Sequence, residues 1–143
     1  MPYFKILVII FCFSFNQIAH SNDKEKVFSQ LSKKDHQTFS KALKEGNKRK
    51  WARSIKELNK LENIEAKKII IWRWLSASDG IASEKKLKLF YDNNKDWPRL
   101  KNLKKKIEFK IKNTNFEESI LWFQENPPIT GIGKIKFSEL LLK

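Results

Sequence analysis

Four glycines and four prolines in 143 residues leave too few chain reversals for a β-sandwich, which turns every ten residues or so. Lysine, glutamate and leucine are abundant while valine is nearly absent, a balance that favours helix. Hydrophobic residues make up 41% of the chain, with five Trp and eleven Phe, so the chain has the material for a packed core. The expected class is all-α, a solenoid or superhelical stack of antiparallel helix pairs with about seven helices.

The amino-terminal segment reads differently. Lys5 precedes the ten-residue apolar run "ILVIIFCFSF" (6–15), and Ala19 and Ser21 then supply small residues two apart. A charged start, a short apolar core and a small-residue cut site describe a signal peptide. Ten apolar residues are about half of what a membrane-spanning helix needs. Residues 1–21 are therefore expected to be a cleaved export signal and 22–143 a helical-repeat domain, placing the mature chain in the periplasm without stable membrane insertion.

Export narrows the chemistry. Cys12 and His20 would leave with the signal, and His36 would be the only imidazole. One histidine without cysteine argues against a zinc site or a Ser-His triad. His36 itself reads as a solvated residue at a helix start. No metal or other cofactor is implied.

The formal net charge is +14, or +13 without Lys5. Lysine outnumbers arginine 26 to 4, as an AT-rich coding sequence produces whatever the function. Base readout relies on bidentate arginine, so nucleic acid is not the expected partner. An anionic envelope surface fits better.

Along the mature chain, "NDKEKVFSQLSKKD" suggests a short helix through Val27, Phe28 and Leu31. A helix pair follows, with Asp35 as N-cap, Phe39, Ala42 and Leu43 inward, and Gly46-Asn47 as the turn. Trp51, Ala52, Ile55, Leu58 and Leu61 form the stripe of the second partner. The run Ile69, Ile70, Ile71, Trp72, Trp74, Leu75 covers most of a helical circumference, which predicts a central buried helix ended by Asp79-Gly80. Leu87, Phe90 and Tyr91 mark the next. Pro98 then fits a first helical turn, with Asp96 as cap and Leu100, Leu103, Ile107 and Ile111 inward. Phe116, Ile120 and Phe123 share a face of a helix that must stop before Pro127-Pro128. Ile135, Phe137, Leu140 and Leu141 belong to a last helix. No long linker or composition shift divides the series, and no sequence period is exact.

"PPITGIGK" (127–134) is the one cluster of glycines. A phosphate-binding loop would need glycine at 128 and a hydroxyl at 135, where Pro128 and Ile135 stand, and no strand precedes it. The stretch reads as a turn: two prolines stop a helix, Thr130 and the glycines reverse the chain, and a new helix begins.

Two stretches carry a resemblance. "DWPRLKNLKKKIE" (96–108), followed by "WFQENPPITGIGKIKFSELLL" (122–142), resembles the amino-terminal superhelical region of periplasmic soluble lytic murein transglycosylases. The residues concerned are Asp96, Trp97, Pro98 and Glu108, then Trp122, Phe123, Pro127, Pro128, Thr130, Gly131 and Gly133. "KWARSI" (50–55) and "IIIWRWL" (69–75) look similar too, so the resemblance covers roughly residues 27 to 143. It implies a non-catalytic scaffold whose partner is peptidoglycan glycan, engaged through a lysozyme-like domain that would follow downstream. In that domain one glutamate would cleave the glycan and close a 1,6-anhydro ring on muramic acid, unlike the usual two-carboxylate route. That domain is absent from these residues, so the resemblance implies a truncated gene, a fragment or a split protein, with no catalytic residue among the 143.

Glu84, Glu108, Glu117 and Glu118 are the acids to weigh. Lying among lysines, they read as surface charge rather than as a general acid, which needs a cleft to raise its pKa. Trp51, Trp72, Trp74 and Trp97 read as core; Trp122, off the Phe116-Ile120-Phe123 face, is the indole most open to a ligand, although packing against a neighbouring repeat is the stronger reading. Against the scaffold reading stands a free-standing periplasmic helical-repeat adaptor for a protein or an anionic envelope polymer.

Overall fold

The structure is a computed structural model and describes residues 31–112 and 116–143. Among these residues it is all-α, with seven α-helices, one 3-10 segment and no strand. The helices are α1 (Lys33–Asn47), α2 (Trp51–Lys56), α3 (Ile64–Ser76), α4 (Glu84–Asn93), α5 (Leu100–Lys110), α6 (Phe116–Glu125) and α7 (Gly131–Leu141), with the 3-10 segment Glu57–Lys60 after α2. Residues 1–21, expected to be an export signal, and the stretch through Val27 and Phe28, expected to be a short helix, lie outside the described residues. The chain divides into two compact units, the first ending at Ile70 and the second running from Ile71 to Lys143. The boundary falls inside α3, where neither composition nor a linker marks it.

In the first unit, Phe39, Ala42, Leu61, Ala66 and Ile70 form the buried core, with Leu43, Ile55 and Leu58 packed on it. The N-cap of α1 is Ser32, whose hydroxyl accepts from Asp35 N at 3.1 Å. Asp35, expected as that cap, is instead buried inside the first turn, and its carboxyl accepts from Glu62 N at 2.8 Å and Asn63 N at 3.0 Å. Asn63 in turn caps the next helix, accepting from Ala66 N at 2.9 Å. A side chain at one helix start thus fixes the chain entering another.

Gly46 and Asn47 are also not the turn. Both lie in α1, and Gly46 is bare because the Trp51 ring packs there, 3.1 Å from where a Cβ would stand. The reversal comes after them, at Arg49 (φ 57°). Ser54 closes the hairpin by donating to Ala42 O at 2.8 Å. The stripe expected along one long helix is broken by the 3-10 segment, and Ala52 is exposed.

Glu57 lies between Lys41 and Lys60, 3.0 Å from each. Hydrogen bonds from Lys41 and then Lys60 hold its carboxyl below the ordinary value of 4.5. A depressed folded pKa stabilises above the unfolded value and is lost as pH falls through the folded one. Glu57→Gln is therefore expected to lower the urea midpoint at pH 7, and the gap to the parent chain is expected to close once pH drops well below 4.5. An equal gap at pH 7 and pH 3 would show that the charge has no part in it.

The second unit has a core of Leu75, Leu87, Leu103, Ile107, Phe123 and Leu140, among others. Its contacts repeat although its sequence does not. Lys88 meets Glu118 at 3.5 Å and Lys95 meets Asn126 at 3.4 Å, pairs 30 and 31 residues apart, so α4 and α6 run side by side in the same sense. Lys106 donates to the carbonyls of Leu75, Ala77 and Gly80, in the last turn of α3 and just after it. Lys136 does the same to Glu108, Phe109 and Ile111 at the end of α5, at 3.1, 2.6 and 2.7 Å. Cations satisfy the orphan carbonyls that close a helix. Burial pushes the amines of both lysines below the ordinary 10.5.

The expectation that α3 is buried on all sides is corrected. Ile70 and Leu75 are buried, but Ile69, Ile71, Trp72 and Trp74 are only half-buried. Ala66 and Ile70 belong to the first core and Leu75 to the second. The apolar circumference is divided between two clusters rather than enclosed by one.

Candidate functional site

The residues that carry the resemblance fall in the second unit, and several meet at one junction. Trp122 O accepts from Asn126 Nδ2 at 3.0 Å and from Asn126 N at 2.9 Å, closing α6 before Pro127-Pro128. The loop then turns over Glu108 of α5. Its carboxyl accepts from Ile129 N (Oε1, 2.8 Å), Thr130 N (Oε2, 2.9 Å) and the Thr130 hydroxyl. The Thr130 oxygen also accepts from Gly133 N at 3.0 Å, which makes Thr130 the N-cap of α7. Lys104 Nζ donates to Pro127 O from the other side.

Two expectations change here. Glu108, read as surface charge, is 0% exposed. It belongs to the inward face of α5 with Leu103, Ile107 and Ile111, where backbone donors rather than water satisfy it. Gly131 and Gly133 do not reverse the chain: both lie in the first turn of α7 and neither has positive φ. Gly133 is bare because a Cβ would overlap the Glu108 carboxyl, whose Cδ would be 2.7 Å away. Gly131 has open space around it, and nothing in its packing requires glycine.

The Asp-Trp-Pro turn is likewise structural, but not as expected. The N-cap of α5 is Arg99, in the left-handed region (φ 61°), and the helix starts at Leu100. Pro98 precedes the helix, and Asp96 is exposed without a capping bond to it. Trp97 stands edge-on to Trp72 and Phe90, with centroids 6.0 and 5.6 Å apart, and Trp72 Nε1 donates to Pro98 O at 2.8 Å.

Trp122, read as the most accessible indole, is 6% exposed. The inward face of α6 is Ser119, Trp122 and Phe123, while Leu121 faces out. Trp122 packs against Phe123 and Tyr91, with Lys88 Nζ 5.6 Å from its ring centroid. Its Nε1 is buried without a hydrogen-bond partner.

For acid–base chemistry the arrangement offers little. Glu108 spends both oxygens on the loop that covers it. Glu84 is half-buried and paired with Lys88 at 2.7 Å, and Glu117 and Glu118 are exposed, as is His36. Among the described residues no group of three or more His, Cys, Asp or Glu side chains could hold a metal ion, and no helix is long and apolar enough to cross a membrane. What the junction does is mechanical: one carboxyl fixes the path of the chain between α6 and α7. Comparison with protein-family models, curated proteins and solved structures returns no match to this chain.

Proposed function

We propose that the chain is a non-catalytic helical scaffold region of a periplasmic peptidoglycan lytic transglycosylase, which positions glycan strands for a lysozyme-like domain rather than cutting them. The observation that supports this reading is the Glu108 junction. Glu108, Thr130 and Gly133, three residues of the resemblance, depend on one another for hydrogen bonds and space. Their joint presence therefore reflects one structural device rather than three coincidences. The test is cosedimentation of the full chain with purified murein sacculi, followed by analysis of the released muropeptides. Binding without release of anhydro-muropeptides is expected. Failure to bind, or measurable release, overturns the reading.

A second reading, an envelope adaptor for a protein partner, is favoured by one feature of α7. Ile135, on the side opposite the buried Gly133 and Leu140, is 57% exposed, and Leu142, just after the helix, is 88% exposed. A chain that ignores sacculi but captures a periplasmic protein through that side would fit the adaptor and not the scaffold.

A further inference from the structure

The first unit carries its densest charge where its hairpin turns. We propose that this end, from Lys44 to Lys56, is a binding surface for a phosphate-bearing linear polyanion, read through its phosphates alone. Lys44, Lys48, Arg49, Lys50, Arg53 and Lys56 are all exposed, against a single carboxylate in the span, Glu45, which lies 4.0 Å from Arg53. The hairpin brings the last turn of α1 and the first turn of α2 together, because Ser54 is bonded to Ala42 and Trp51 packs on Gly46. Both halves of the charged run therefore share one end of the unit.

Arg53 faces Glu45 at 4.0 Å, and all six cations are exposed rather than part of the core. A hydroxyl, a ring and a bare glycine close the hairpin, and six crowded like charges oppose folding. Codon bias does not explain the two arginines: arginine is rare at four in the chain, yet Arg49 and Arg53 both fall in this span. Arg49 also holds φ 57°, a conformation that glycine adopts without strain and arginine does not.

The surface favours a polymer over a bilayer or a base-reading site. No large exposed hydrophobic side chain lies between 44 and 56 to enter a membrane. Trp51, the aromatic of the span, lies half-buried against Gly46 rather than standing out as a stacking platform. What remains is a cluster of donors for successive phosphates.

The probe is fluorescently labelled long-chain inorganic polyphosphate, titrated with the full chain across a salt series. The variant Lys48→Gln/Arg49→Gly/Lys50→Gln is expected to bind tenfold or more weakly. Its log affinity against log salt should flatten by about 2, from three lost phosphate contacts. Its urea midpoint should be no lower than that of the parent. The control Lys101→Gln/Lys105→Gln/Lys112→Gln removes three exposed lysines from the second unit and is expected to bind within twofold of the parent. Equal weakening by both variants, or none by the first, overturns the proposal. Tighter binding to phosphatidylglycerol vesicles at matched phosphate, abolished by the turn variant, would assign the surface to lipid headgroups and overturn the polymer. The surface is independent of the scaffold reading, so failure to sediment with sacculi leaves it standing.

Discussion

Replacing Glu108 by alanine should lower the unfolding free energy of the second unit by about 4 kcal/mol. The change leaves the Ile129 and Thr130 amides without their acceptor and opens a void at a site with no exposure. Glu108→Gln keeps the volume but turns an NH2 toward one of two donors, so roughly half that loss is expected. Urea unfolding followed by tryptophan fluorescence reads the effect, since Trp72, Trp74, Trp97 and Trp122 all lie in this unit. The decisive comparison is a double-mutant cycle. Gly133→Ala alone forces a methyl group against the carboxyl and should lower stability by about 2 kcal/mol. In the Glu108→Ala background the obstruction is gone, and alanine is the better helix residue by about 0.5–1 kcal/mol. The second substitution should then be neutral or stabilising. Effects that simply add, within about 0.5 kcal/mol, would mean the two residues do not constrain each other.

Gly80→Ala should be comparably severe. A Cβ there would overlap the Trp74 carbonyl oxygen and stand 3.0 Å from its carbon, and both atoms belong to the backbone of α3. A flexible side chain can swing away, but the last turn of a helix cannot. The same segment supplies the Leu75, Ala77 and Gly80 carbonyls that hold Lys106, so a displaced turn also strands a half-buried cation. A loss of about 3 kcal/mol is expected from overpacking and the loosened bonds together. A change under about 1 kcal/mol in the same urea assay would show that the turn has slack the geometry does not suggest.

The all-α class was legible because helical spacing survives any detail of packing. Leu103, Ile107 and Ile111 lie a turn apart and all three are buried. Pro127-Pro128 marks the end of α6 for a covalent reason that no neighbour can override. What could not be read was whatever depends on a partner far along the chain. Nothing local to Glu108 or Asp35 says that each will be met by two backbone amides 21 to 28 residues away; their sequence neighbours alone suggest surface charge for one and a cap for the other. Glycine misled in a similar way. Gly46 and Gly133 look like turn residues, but a ring and a carboxyl, respectively, occupy the space where their side chains would be. A face drawn through Phe116, Ile120 and Phe123 leaves Trp122 outside it, yet of the three only Phe123 is buried. The true inward face is rotated toward Ser119.

The ties described above for the second unit join positions 21 to 31 residues apart, each helix being fastened to one a hairpin away. The entropy of closing spans of this length is modest and grows only slowly with loop length. A chain fastened in this manner can acquire order progressively from either end of a hairpin, without waiting for its last residues. For a polypeptide still emerging from the ribosome, that would shorten the interval in which sticky intermediates are exposed.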